Sequence, residues 1–243
     1  MDEELSPAYY AARGGGWRDW WTLLHPPYTA WHLSYVVIGA CLVPRPNLGR
    51  LLATLLAFFA AVGVGAHALD ELHGRPLGTS VASVWLVVAT VGGLLCAVVI
   101  GALAVAEVGL SLVPFIVAGP LLVVAYNAEL FGGIVHTDAG FAAAWGSFPL
   151  LCSYVAQSST LRTAPLLGAV AAFALSYAQR ALSTPARALR RRTQSVSGSI
   201  RRRDGSEDPI ATATLLAPLE RALSALSWAA VFFACSLAVA RLG

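Results

Sequence analysis

Gly65-Ala-His-Ala-Leu-Asp-Glu-Leu-His-Gly-Arg-Pro-Leu-Gly-Thr79 closes an apolar run that begins at Leu48. The run is long enough to cross a bilayer as a helix. At its end four metal-competent side chains, His67, Asp70, Glu71 and His73, fall within seven residues. On a helix His67, Asp70 and Glu71 occupy positions i, i+3 and i+4 and share one face, with His73 about one position off it. Gly74-Arg75-Pro76 then ends the helix. Ionisable groups at the end of a membrane helix are costly unless they face a cavity and act there.

The rest of the chain fits that setting. Of 243 residues 57% are hydrophobic and 12% charged, more apolar than a soluble core needs. Apolar runs at about 28–44, 48–72, 80–103, 108–130, 139–157, 163–182 and 212–241 predict an all-α, polytopic transmembrane bundle of seven spans. Residues 1–26 form a polar and aromatic segment lying at the interface, with Trp17, Trp20 and Trp21. The start, Met1-Asp-Glu-Glu-Leu-Ser-Pro7, is acidic and does not read as a cleavable signal. Residues 27–183 hold the bundle core and 210–243 the last span. Between them, 184–209 reads as an Arg- and Ser-rich loop, cytoplasmic by the positive-inside rule. In a cell membrane this places the N-terminus and the His67–Arg75 motif in the cytoplasm and the C-terminus outside.

All sixteen basic residues are Arg, which excludes a Lys Schiff base or nucleophile. A net charge of +3 argues against nucleic acid as a partner and leaves membrane lipids. The four cysteines are scattered singly and read as buried thiols.

A second polar group, Tyr126 to Asp138, places Glu129, His136 and Asp138 around Gly132-Gly133. The glycine pair permits a broken helix exposing carbonyls to a cavity. Asp138 reads equally as a helix cap or as a ligand. His32 is a third candidate, beside Tyr28 and Tyr35 in the first span. Together His67, Asp70, Glu71, His73, Glu129, His136 and Asp138 make a candidate metal set, of a donor type that suits zinc, iron or manganese. The arginine cluster reads as a topology and lipid-headgroup signal.

Trp21-Thr-Leu-Leu-His-Pro-Pro27, Ala66-His-Ala-Leu-Asp70, Gly74-Arg-Pro-Leu-Gly-Thr79, Tyr126-Asn127 and Ala144-Trp-Gly-Ser-Phe-Pro149 resemble the UbiA superfamily of intramembrane prenyltransferases. The likeness spans residues 17–160. It implies a helical bundle whose polar pocket faces the cytosol, with magnesium held on a prenyl diphosphate by two Asp-rich motifs. Asp70 matches the second Asp of the first motif, His67 replaces its first Asp and Ala66 its Asn. Arg75 matches the basic residue that follows, which would hold phosphate. The place of the second motif, Tyr177 to Arg187, contains no acid. The resemblance implies metal-dependent prenyl transfer to a lipid-soluble acceptor. Asp70, Glu129 and His136 would be catalytic, and Arg75, Tyr126, Asn127 and His32 would touch an isoprenoid substrate. Two other readings stay open: a His/carboxylate metal centre doing redox or hydrolytic work on a lipid, and a non-catalytic metal- or lipid-binding protein.

Overall fold

The computed structural model describes residues 7–12 and 15–243 and is nearly all helical. Its helices are α1 (Trp17–Leu23), α2 (Pro26–Cys41), α3 (Leu48–Leu72), α4 (Ser83–Val108), α5 (Leu110–Asn127), α6 (Asp138–Ser158), α7 (Thr163–Arg191) and α8 (Thr212–Leu242). A short antiparallel hairpin, β1 (Ser199–Arg201) and β2 (Glu207–Pro209), joins the last two. The six helices α3 to α8 are long and apolar enough to cross a membrane.

Six is one fewer than the runs predicted. The missing span is α2, whose 16 residues reach about 24 Å, short of a hydrocarbon core of ~30 Å. Instead α2 is the element the others surround. Trp31, Tyr35, Val36 and Ala40 are buried, and Trp31 and Tyr35 pack with Leu150, Ala169, Ala172 and Ala230 of three other helices. The Trp31 indole donates to the Tyr35 hydroxyl at 2.5 Å, and Ser176 Oγ donates to the same oxygen at 3.1 Å. The paired runs at 80–130 become α4 and α5, separated at Gly109, where φ is 95°. Expected as loop from Thr184, the Arg-rich segment remains helical to Arg191, straight through Pro185.

The outward faces of α4 and α8 carry Trp85, Val88, Leu95 and Leu103, and Trp228, Phe232 and Val239, all exposed. A sheath of this kind suits lipid. Inside, small residues set the helix spacing. A Cβ on Gly39 of α2 would stand 2.2 Å from the Leu150 carbonyl oxygen, and one on Gly93 of α4 2.3 Å from the Ala60 carbonyl oxygen. No rotamer change relieves a clash with backbone.

Two helices widen on the way. Phe59–Ala66 within α3 and Ala143–Ser147 within α6 are π-helical, a geometry that clusters at functional sites. Both segments contribute to one core cluster of Val62, Ala66, Val123, Tyr126, Ala144 and Trp145.

Gly39→Ala is expected to destabilise the bundle by about 3 kcal/mol, the upper range for overpacking. A melting curve of detergent-purified protein unchanged by the substitution would refute the close α2–α6 approach.

Candidate functional site

At the end of the bundle where α3, α5 and α7 finish and α2, α4, α6 and α8 begin lies a polar cavity of about 330 Å³. His25, His32, His67, Asp70, His73, Tyr126, Asn127, Glu129 and His136 line it from one side. The N-terminal segment Pro7–Tyr10 lies across it, tied by Arg191 Nε to the Pro7 carbonyl at 3.1 Å.

Three histidines are oriented in the same way. Nδ1 of His67 lies 3.1 Å from the Gly63 carbonyl oxygen, Nδ1 of His32 2.9 Å from that of Trp145, and Nδ1 of His136 2.9 Å from that of Tyr126. A carbonyl only accepts, so each Nδ1 carries a proton and donates it. His136 also stacks on Tyr126, ring centroids 4.4 Å apart. His25 lies against His67 at 4.4 Å and pairs through Nδ1 with the Tyr10 hydroxyl. His25 sits in the turn before α2, and burial first, then His67, holds its pKa well below the usual 6.5. Burial likewise keeps the Tyr10 phenol well above its ordinary range. Both are neutral at physiological pH.

The expected metal set separates. Glu71 is fully buried, 0% exposed, and turned away from the cavity. Its carboxylate accepts from Leu77 N at 2.9 Å and from Thr79 N and Oγ1 at 2.8 Å. It therefore fastens the Gly74–Thr79 loop to α3. Asp138 opens α6 and accepts from Arg180 Nε at 3.1 Å. His73 is exposed at the rim, and Glu129, at a φ of 48°, lies 3.9 Å from His136 Nδ1. Among the described residues, no three of His, Cys, Asp and Glu converge closely enough to hold one ion. The imidazoles are oriented as ligands are, but they are spread round the cavity rather than gathered. Arg75 also differs from its expected role. It donates to the Thr79 and Val81 carbonyls at 3.3 and 2.6 Å and to Ser83 Oγ at 2.8 Å, and it does not line the cavity.

No protein-family model, curated protein or solved structure matches this chain.

The opposite wall is where sequence reasoning stopped short. Gln179, Arg180, Ser183, Arg187, Arg190 and Arg191 of α7 all face the cavity. Their spacing of three and four residues marks one helical face; in the sequence Gln179 and Arg180 read as part of a span, but Arg187, Arg190 and Arg191 as loop. Arg180 is paired with Asp138, and Arg190 with Glu220 at 2.5 Å. Asp70 makes no ion pair among the described residues, though Arg187 and Arg191 act on it electrostatically. Three buried polar atoms of lining residues, Tyr9 Oη, Tyr126 Oη and Gln179 Oε1, have no hydrogen-bond partner among the described residues. Buried polar groups are normally satisfied, so these point to a polar occupant.

Beyond this cavity, between α3, α4, α5 and α6, lies an apolar one of about 630 Å³. Val62 and Trp145 line both and form the partition between them. Gly49, Ala53, Ala57 and Ala61 line its α3 side at every fourth residue. Its far end is closed by Arg50, which donates to the Glu107 carbonyl at 3.1 Å and to those of Ala156 and Gln157 at 3.4 Å.

Two outcomes follow from these partnerships. Glu71→Gln lowers stability by roughly 2 kcal/mol, the scale of hydrogen bonds to a charged group, and a melting temperature equal to wild type would contradict the loop-fastening role. For His25, the unfolded imidazole titrates near 6.5 while the folded one stays neutral. As pH falls below 6.5 the unfolded chain gains a proton that the folded chain refuses, so stability drops, by up to about 1.4 kcal/mol per pH unit. Melting curves from pH 7.5 to 5 should show wild type losing stability relative to His25→Asn. A constant difference between the two would sink the buried, neutral His25.

Proposed function

We propose that this protein is a membrane-embedded enzyme acting on an amphiphilic lipid with an anionic, phosphate-bearing head. Prenyl transfer from a prenyl diphosphate to a lipid-soluble acceptor is its first-choice reaction. The single observation that carries the reading is the pair of adjacent cavities that share Val62 and Trp145 as their common wall. One side is polar and ringed by arginine, and the other is apolar and sized for a tail. The arginine bias supports a cytoplasmic orientation for the polar cavity. Of the fifteen arginines among the described residues only Arg45, Arg50, Arg162 and Arg241 lie toward the other end.

In this reading the carbon–oxygen bond to the diphosphate breaks at the partition, and its electron pair leaves with the diphosphate. The developing positive charge lies among Tyr126, Phe141 and Trp145, whose ring faces attract cations. The acceptor forms the new bond to that carbon and gives up its proton to the imidazole of His32 or His136, each held through Nδ1 by a backbone carbonyl. Asp70, the unpaired carboxylate opposite the arginines, orients the acceptor or takes the proton in turn. Magnesium on the diphosphate belongs to the resemblance, and no step here is routed through it, because the carboxylates do not assemble a cage for it.

Detergent-purified protein should convert a radiolabelled prenyl diphosphate and an electron-rich, phenolic acceptor into an apolar product. Asp70→Asn should slow the conversion about 100-fold, within the range for general acid–base groups. Tight binding without product in wild type would instead mark a lipid-binding protein without turnover.

A further inference from the structure

The face of α7 carries more positive charge than the cavity's acids cancel. Arg180 and Arg190 are engaged by Asp138 and Glu220. Arg187, between them, contacts only its own helix: Nη1 lies 3.3 Å from Ser183 Oγ and Nη2 3.3 Å from Thr184 Oγ1. No carboxylate pairs with Arg187 among the described residues. Arg180 and Arg191 repel it, and the Asp70 carboxylate across the cavity, which acts on it electrostatically, forms no ion pair with it among the described residues. A partly buried guanidinium facing two others is unfavourable unless an anion joins them. The orphaned Gln179 Oε1, on a side chain 4% exposed, and Tyr126 Oη stand in the same cavity.

We propose that Arg187, flanked by Arg180 and Arg191, grips the phosphate of the amphiphile's head directly, with its planar fork bridging two phosphate oxygens. The inference rests on the proposed amphiphilic substrate and names the residue that recognises it. Five arginines line the cavity, at positions 180, 187, 190, 191 and 192, against Asp70, Glu129 and Glu220. The cavity therefore attracts an anion by its own charge, and binding of the head persists in a chelator. Guanidinium suits the task better than an ammonium, because bidentate geometry sets the angle of the phosphate as well as its position. Held there, the diphosphate end lies on the polar side of Trp145 and the chain it carries points into the apolar cavity.

The test is binding to full-length protein in detergent with EDTA present. The probes are inorganic pyrophosphate, farnesyl thiolodiphosphate, which resists ionisation, and dihexanoyl phosphatidylglycerol. Wild type should bind farnesyl thiolodiphosphate more tightly than pyrophosphate. Arg187→Gln should weaken it at least ~10-fold, as loss of one partner of a buried charge pair does. Arg187→Lys should fall between, and Arg203→Gln, on the exposed hairpin, should match wild type. Phenylglyoxal labelling of wild type needs no variant to fold. The Arg187 peptide should be protected by farnesyl thiolodiphosphate. Protection by phosphatidylglycerol alone would keep Arg187 as the phosphate grip and overturn the prenyl diphosphate reading. Wild-type binding with neither protection of Arg187 nor loss in Arg187→Gln would overturn the grip and leave the substrate reading standing. Binding of none of the three probes would overturn both.

Discussion

The architecture depends on one constraint: in an apolar bundle, backbone and side-chain polar groups must find partners inside the protein. The histidines and the widened turns meet this demand jointly. Gly63 lies within the π-helical part of α3 and Trp145 within that of α6, and their carbonyls are the acceptors for His67 and His32. Each pairing satisfies a backbone group and fixes the orientation of an imidazole that lines the cavity. The irregular backbone and the functional side chains are thus the same feature. A regular α-helix through either segment would carry these acceptors to different angles, and the rings would turn with them.

The same constraint explains why α2 is short and central. A helix enclosed by α3, α6 and α8 need not match the bilayer thickness, and it can carry His32, Tyr35 and Ser34 because protein rather than lipid surrounds it. Its closeness to α6 rests on Gly39, where backbone meets backbone. That contact also brings His32 within 2.9 Å of the Trp145 carbonyl oxygen. Packing in the middle of the bundle therefore sets geometry at its end.

Much of this was legible in the residues. Hydropathy located α3 to α8, to within a few positions except at the end of α7, because a membrane span needs an unbroken apolar length. The polar end of α3 marked the cavity, since His67 and Asp70 could not be tolerated elsewhere. What failed was finer. Asp70 and Glu71 are neighbours, about 100° apart on a helix, so one faces the cavity while the other faces the loop it fastens. Sequence spacing cannot say which of two adjacent acids will be claimed by Leu77 and Thr79. Arg75 misled for a similar reason, because its guanidinium closes a loop whose carbonyls only the fold brings together. On α7, Pro185 and the arginine density read as a helix end, yet the helix continues and turns Arg180, Arg187 and Arg191 inward.

That inward wall carries a cost. Like charges on one partly buried face repel more strongly than in water; Asp138 and Glu220 pair with Arg180 and Arg190, and Arg187 has no ion pair among the described residues. Stability alone would favour glutamine or a paired acid at this position, as buried charges without partners weaken a fold. Unfavourable groups persist where the folded state gains something else from them, and binding sites are where natural chains carry such strain. The orphaned hydroxyl of Tyr126 and the amide oxygen of Gln179 belong to the same account. Each would be satisfied by a polar ligand of the right shape. The polar end of the bundle is therefore built for its occupied state, while the apolar cavity beyond Val62 and Trp145 requires nothing but a tail.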